Sequence, residues 1–176
     1  MRWIVLLRAV NLGARNKVPM AQLRTLLEEE AGYRDVRTYI ASGNVLVDGP
    51  RGKAAVARKL ERLIADAFDV ETIAIVRTPK ELSAVVAGHP FGRDTSRSHV
   101  VFLADRPTAK AAESLAKAEH SPDRAVVAGR DIYVQYPAGV QGARLSAAQL
   151  ERLLDVPGTH RNWRTVAALA ELAAEA

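Results

Sequence analysis

The chain contains no cysteine, and this absence removes several kinds of chemistry at once. Disulfide cross-links, thiol nucleophiles and cysteine-based metal sites are all excluded. Aromatic residues are also sparse, at 5% of the 176 residues. The fold must therefore be stabilised mainly by aliphatic packing, for which an apolar content of 48% is ample.

Long apolar runs are missing as well. The apolar run from Trp3 to Leu7 is interrupted by Arg8, and the alanine-rich tail from Ala167 contains Glu171 and Glu175. Both stretches are too short for a signal-peptide core or a membrane span. We therefore expect a cytoplasmic protein that does not associate with membranes.

The sequence also lacks the signatures of the common enzyme classes. It has no Walker loop, no Rossmann glycine pattern, no nucleophile elbow and no metalloprotease helix. None of its four histidines has a partner at metal-ligand spacing, so we expect no metal and no cofactor. These histidines are His89, His99, His120 and His160.

Apolar periodicity predicts alternating strands and helices in residues 1–77. The order is a buried strand, a helix after Pro19, a hairpin, a long amphipathic helix and a strand. This βαββαβ order is that of a ferredoxin-like unit. The predicted elements are the strand Trp3 to Arg8, the hairpin turning at Ser42-Gly43-Asn44, the helix between Arg51 and Asp69 and the strand Thr72 to Val76.

The pattern begins again in residues 78–176. A strand from Val100 to Leu103, a helix from Ala109 to Ala118, a hairpin at Gly129-Arg130-Asp131 and a helix from Ser146 to Leu154 follow one another. This is a second, incomplete ferredoxin-like unit without its final strand, followed by a C-terminal helix from about Asn162. We expect an α+β fold of two units, 1–77 and 78–176, packed as one globule.

Four short polar islands carry the groups that suggest chemistry. The first leaves the first strand at Arg8 and reaches the first helix through cationic and amide residues, with no carboxylate. The others are the stretch from Tyr39 to Asn44, the Arg77-Thr78 pair and the stretch from Thr159 to Thr165. Three of the four lie at helix starts, where unpaired N–H groups and cations can share an anion.

Each island also has a structural explanation. Serine, glycine and asparagine are ordinary turn residues, Thr78 is a suitable helix N-cap, and Trp163 is more typical of a core anchor than of a stacking platform. The functional interpretation is that the islands converge on one cationic cleft. Its candidate ligand-binding residues are Arg8, Asn11, Lys17, Ser42, Asn44, Arg77, Arg161 and Asn162.

The sequence leaves three functional hypotheses open. The leading hypothesis, based on the combination of the islands, is binding of a phosphate-bearing ligand, either a nucleotide or RNA. The net charge of +5 is a modest excess and does not by itself favour nucleic-acid binding. The second is an enzyme acting on an anionic small molecule, with Arg8 and Arg161 stabilising charge and no identifiable nucleophile. The third is a protein-interaction module without a ligand, in which the islands merely cap helices.

Five segments together resemble the bacterial domain-of-unknown-function 1697 family. They are Leu6 to Met20, Thr38 to Val45, His89-Pro90-Phe91, Tyr133 to Pro137 and Thr159 to Val166, in the same order. The resemblance implies an α+β protein related to ferredoxin-like folds and implies no established activity. It also implies that Ala9 and Ala14 stand where members of the family usually have glycine.

Overall fold

The computed structural model describes residues 1–175. The chain divides into two compact units, Met1–Ser83 with the C-terminal segment from Leu169, and Ala84–Ala168. Within the described residues no helix is long and apolar enough to cross a membrane. Each unit is built on one four-stranded sheet.

The first unit has the predicted βαββαβ order. Its strands pair antiparallel in the order β2-β3-β1-β4, which places the two strands of the hairpin on one side of β1 and β4 on the other. The ferredoxin-like fold class is thereby confirmed. The elements are β1 Arg2–Leu7, α1 Met20–Glu29, β2 Arg34–Tyr39, β3 Asn44–Asp48, α2 Lys53–Phe68 and β4 Ala74–Arg77.

The continuous apolar run of β1 has a direct structural cause. Trp3, Val5 and Leu7 belong to one core cluster, which also takes in apolar residues of α1 and α2. The intervening Ile4 and Leu6 are fully buried too. Because successive residues of a strand point to opposite faces, β1 is buried on both of them.

A third helix, α3 (Pro79–Ala87), follows β4 directly. The Thr78 backbone N–H donates to Oε2 of Glu81 at 2.7 Å, and the Glu81 N–H donates to Oγ1 of Thr78 at 3.2 Å. This reciprocal pair is a capping box. The interpretation of Thr78 as a helix cap is confirmed.

The second unit repeats the architecture of the first. Its strands pair antiparallel in the order β6-β7-β5-β8, and a last helix follows β8. The elements are β5 Ser98–Leu103, α4 Ala109–Lys117, β6 Arg124–Ala128, β7 Asp131–Gln135, α5 Ala147–Leu154 and β8 Gly158–Asn162. The last helix, α6 Trp163–Ala174, begins in the second unit, and its residues from Leu169 belong to the first.

The second unit is complete, so the expectation that it lacks its final strand was wrong. The final strand, which the sequence pattern did not predict, is β8, and it pairs with β5 at the edge of the sheet. Its sequence, Gly-Thr-His-Arg-Asn, has no apolar alternation. The backbone ladder with β5 and hydrogen bonds of its polar side chains hold it in place. A Cβ on Gly158 would lie 2.9 Å from Cγ1 of Val101, so glycine permits the close approach of the two strands.

Candidate functional site

A cavity of about 460 Å³ lies in the first unit, where β1 and β2 end and α1 begins. Two of the predicted binding residues, Asn11 and Lys17, line it. Most of the remaining wall is apolar. The lining residues are Asn11, Lys17, Val18, Pro19, Met20, Thr38, Ile40 and Ala41.

The loop between β1 and α1 folds back on itself through left-handed residues. Ala9, Asn11, Gly13 and Asn16 all have positive φ angles, between +50° and +57°. The Asn11 backbone N–H donates to the Asn16 carbonyl at 2.8 Å, and Nδ2 of Asn16 donates to the Ala9 carbonyl, also at 2.8 Å. Glycine and asparagine are the residues that tolerate this backbone best, which explains why this segment contains them.

Asn11 joins the loop to the neighbouring turn. Its Nδ2 donates to the carbonyls of Val18, at 2.9 Å, and Ala41, at 2.7 Å, while its Oδ1 accepts from the Val18 N–H at 2.9 Å. Both amide hydrogens are therefore used within the protein. Asn11 forms part of the cavity wall and fixes its shape, and direct contact with a ligand stays a prediction.

Ala9 has a left-handed backbone conformation that is unfavourable for alanine. Its φ of +56° is unfavourable for alanine by about 1–2 kcal/mol, whereas glycine adopts it without strain. We expect Ala9→Gly to raise the free energy of unfolding by up to about 1 kcal/mol, since greater freedom in the unfolded chain offsets part of the gain.

The matched control for Ala9→Gly is Ala14→Gly. Ala14 is not among the residues with positive φ, so its replacement relieves no strain and costs unfolded-state entropy. Urea denaturation of both variants measures the difference. An equal effect at both positions would contradict the assignment of strain to Ala9.

The turn between β2 and β3 is closed by its own side chains. Nδ2 of Asn44 donates to the Tyr39 carbonyl at 2.9 Å and to Oγ of Ser42 at 3.0 Å. Gly43 has a φ of +83°, and a Cβ there would lie 2.5 Å from Cγ2 of Val10. The turn interpretation is confirmed for Ser42 and Asn44, and a role for them in ligand binding stays a prediction.

Ile40 is unusual in both its backbone and its exposure. Its φ of +51° is a rare conformation for a β-branched residue, with a cost of about 1–3 kcal/mol. Half of its surface, 51%, is exposed. Neither packing nor backbone preference accounts for isoleucine at this position in the cavity wall.

The charge at the cavity is positive. Lys17 is exposed and lines the wall, and Nη1 of Arg24 donates to Oγ1 of the lining residue Thr38 at 2.9 Å. No side chain caps the start of α1 at Pro19. Within residues 1–175 the lining includes no carboxylate, and it combines the cation Lys17 with Pro19 and Met20 at the start of α1, where the helix dipole favours negative charge.

Two other predicted residues of the first unit lie at different places on the sheet. The Arg8 backbone is held by the Ile73 carbonyl, at 3.0 Å, and by the Thr72 hydroxyl, at 2.7 Å. Arg77 is opposite Ile4 in the middle of β1 and is 1% exposed, with Nη1 donating to the Val76 carbonyl at 3.1 Å. Neither lines the cavity, and ligand contacts of both stay predictions.

The remaining two predicted residues belong to the second unit. Nη1 of Arg161 donates to Oγ1 of Thr159 at 2.7 Å and to the His160 carbonyl at 2.8 Å, and burial lowers the pKa of its guanidinium to about 10. Oδ1 of Asn162 accepts from the Thr165 N–H at 2.9 Å and caps α6. Their convergence with the residues of the first unit stays a prediction.

The aromatic residues of the second unit pack against one another. The ring of His89 lies 4.3 Å from that of Trp163 and 5.7 Å from that of Phe91, between ring centroids. Nε2 of His89 is 2.8 Å from Oγ of Ser98, which ties the segment to β5. Trp163 therefore packs against His89 within the second unit and is itself partly buried.

Sequence reasoning did not select six of the eight lining residues, nor Arg24, which donates a hydrogen bond to one of them. The six are Val18, Pro19, Met20, Thr38, Ile40 and Ala41. Arg24 follows Met20 by four positions, so a helical projection places both on one face of α1. No signal of comparable strength marks Thr38 or Ile40. Among the described residues no group of three or more acidic, histidine or cysteine side chains is arranged to hold a metal ion.

Comparison with known proteins identifies the family. The family model described as "Protein of unknown function (DUF1697)" matches residues 1–133. The chain belongs to this family. The suspected DUF1697 membership is thereby confirmed, and the match includes every residue of the cavity wall.

A solved structure is similar to this DUF1697 chain over nearly its whole length. It is described as the structure of conserved bacterial protein SP0830 from Streptococcus pneumoniae, with 23% sequence identity, 98% of each chain covered and a TM-score of 0.73. At this identity the likeness shows the fold. No curated protein matches the chain significantly.

Proposed function

We propose that this DUF1697 protein binds a phosphate-bearing small molecule in the cavity at the start of α1. The observation that carries the proposal is the position of Lys17 and of the uncapped helix start in a cavity wall without carboxylates. Its volume of about 460 Å³ is typical of small-molecule sites, which span roughly 300–1,000 Å³. We also propose that the protein acts in the cytoplasm.

A small ligand is favoured over RNA for two reasons. Folds that bind single-stranded nucleic acid on a sheet stack bases on exposed aromatic side chains. The two central strands, β1 and β3, contain one aromatic residue, Trp3, and it is buried. The cavity is also small compared with the roughly 4–16 nucleotides that one single-strand-binding domain covers.

Binding is favoured over catalysis because of the chemistry of the wall. Lys17 and the Thr38 hydroxyl are its reactive groups, and the wall residues within the described chain include neither an imidazole nor a carboxylate to activate them. A lysine, a hydroxyl and a helix N-terminus are the groups expected to hold a phosphate.

Lys17→Gln tests the proposal. The ¹⁵N-labelled full chain is titrated with inorganic phosphate, ribose 5-phosphate and the four ribonucleoside 5′-monophosphates. We expect amide shifts in residues 11–20 and 38–41 on titration with at least one of them. Because a charged hydrogen bond is lost, Lys17→Gln should weaken that binding about tenfold.

Lys80→Gln is the matched control, since it removes an equal charge from an exposed position of α3 outside the cavity. It should leave binding unchanged. The proposal is wrong if no compound shifts the cavity residues. It is also wrong if short single-stranded RNA binds instead with a steep salt dependence, of about −0.7 in the logarithmic slope for each phosphate contacted.

A further inference from the structure

We propose that the ligand of this cavity is a nucleoside monophosphate, whose base packs against the apolar wall while its phosphate lies at Lys17. The inference rests on the proposed function and goes further by naming the substrate class. A phosphorylated sugar or free phosphate could pair with Lys17 but would leave the apolar wall uncovered. The apolar wall discriminates among these ligands.

The first step of the argument is the composition of the wall. Five of the eight lining residues are apolar, and the polar Asn11 has both amide hydrogens occupied by the Val18 and Ala41 carbonyls. The hydroxyl-rich surface of a sugar would therefore find few partners there. A flat base with apolar faces matches such a surface.

The second step concerns Ile40. At Asn11 and Asn16 this unit uses asparagine for the same left-handed backbone, yet at position 40 it has isoleucine. The side chain is 51% exposed although it is large and apolar. An apolar surface kept at a strained, solvent-exposed position of a cavity wall is explained by a ligand that covers it.

The third step is the separation of charge and apolar surface along the chain. Lys17 lies in the loop before α1, and Ile40 and Ala41 lie in the turn after β2, so two different segments supply the cation and part of the apolar wall. The hydrogen bond from Nδ2 of Asn11 to the Ala41 carbonyl holds these segments together. A ligand with one anionic end and one apolar end spans both.

Ile40→Asn tests the inference without harming the fold, because asparagine is favoured in the left-handed conformation. Isothermal titration calorimetry on the full chain compares the four ribonucleoside 5′-monophosphates with ribose 5-phosphate. We expect the tightest nucleotide to bind at least about tenfold more tightly than the sugar phosphate, with a negative heat-capacity change. Ile40→Asn should remove most of this advantage, leave ribose 5-phosphate unchanged and not lower the melting temperature.

Val140→Asn is the control, since it replaces another exposed apolar residue that does not line the cavity. Equal affinity for ribose 5-phosphate and all four nucleotides, or nucleotide binding unaffected by Ile40→Asn, would overturn the inference and leave the proposed function standing. If neither the nucleotides nor the other phosphates bind, the proposed function fails together with it.

Discussion

Replacing Asn11 by alanine is expected to lower the free energy of unfolding by about 3 kcal/mol. The substitution removes three hydrogen bonds, to the Val18 N–H, the Val18 carbonyl and the Ala41 carbonyl. It also leaves alanine at a φ of +53°. Because the bond to Ala41 joins the loop to the turn, the variant should also lose the phosphate binding proposed for the cavity.

Asn16→Ala is the matched control. Asn16 has nearly the same backbone conformation, with a φ of +50°, but its side chain donates one hydrogen bond, to the Ala9 carbonyl. The strain of alanine is therefore common to both variants, and we expect Asn16→Ala to cost about 2 kcal/mol less than Asn11→Ala. Urea denaturation compares them, and equal losses would show that Asn11 does not hold the two segments together.

The elements that sequence analysis predicted correctly depend on local signals. The helical spacing of Leu23 and Leu27 and the glycine of the Ser42-Gly43-Asn44 turn act over a few residues, and the structure confirms both. Strand β8 is different, because pairing with β5, about 60 residues earlier, makes it a strand. Its buried side chains, such as Thr159 and Arg161, are polar, so the apolar alternation from which strands are predicted is absent.

The candidate site was predictable only in part for the same reason. Asn11 and Lys17 stand out in a polar stretch without carboxylates, whereas Thr38 and Ile40 become cavity residues only because the loop and the turn meet. Arg77 lies at the end of β4, as the sequence predicts, but long-range pairing decides its surroundings: it is opposite Ile4 of β1 and is 1% exposed, and its contact with a ligand stays a prediction.

His160 links the stability of the second unit to pH because its imidazole ring is buried and hydrogen-bonded in the neutral form. The Tyr136 hydroxyl lies 2.8 Å from the Leu145 carbonyl and 3.0 Å from Nε2 of His160. The carbonyl can only accept, so the hydroxyl donates to it and Nε2 of a neutral His160 donates to the hydroxyl oxygen. Burial, with smaller contributions from His99 and Arg161, lowers the pKa of His160 to about 4, while Glu151 acts in the opposite direction.

The protein should therefore lose about 3 kcal/mol of stability through His160 as the pH falls from about 6.5 to about 4. In this window the unfolded chain binds a proton at His160 that the folded chain does not, so acid favours unfolding. Above about 6.5 the contribution of His160 to stability is fully present.

His160→Gln tests this prediction, because glutamine keeps a side-chain N–H for Tyr136 but does not titrate. Urea denaturation at several pH values should show a smaller loss of stability in acid for this variant. Burial also lowers the pKa of His99, and its share of the loss persists in both proteins. Parallel curves for the two proteins between pH 6.5 and 4 would show that His160 does not cause the loss.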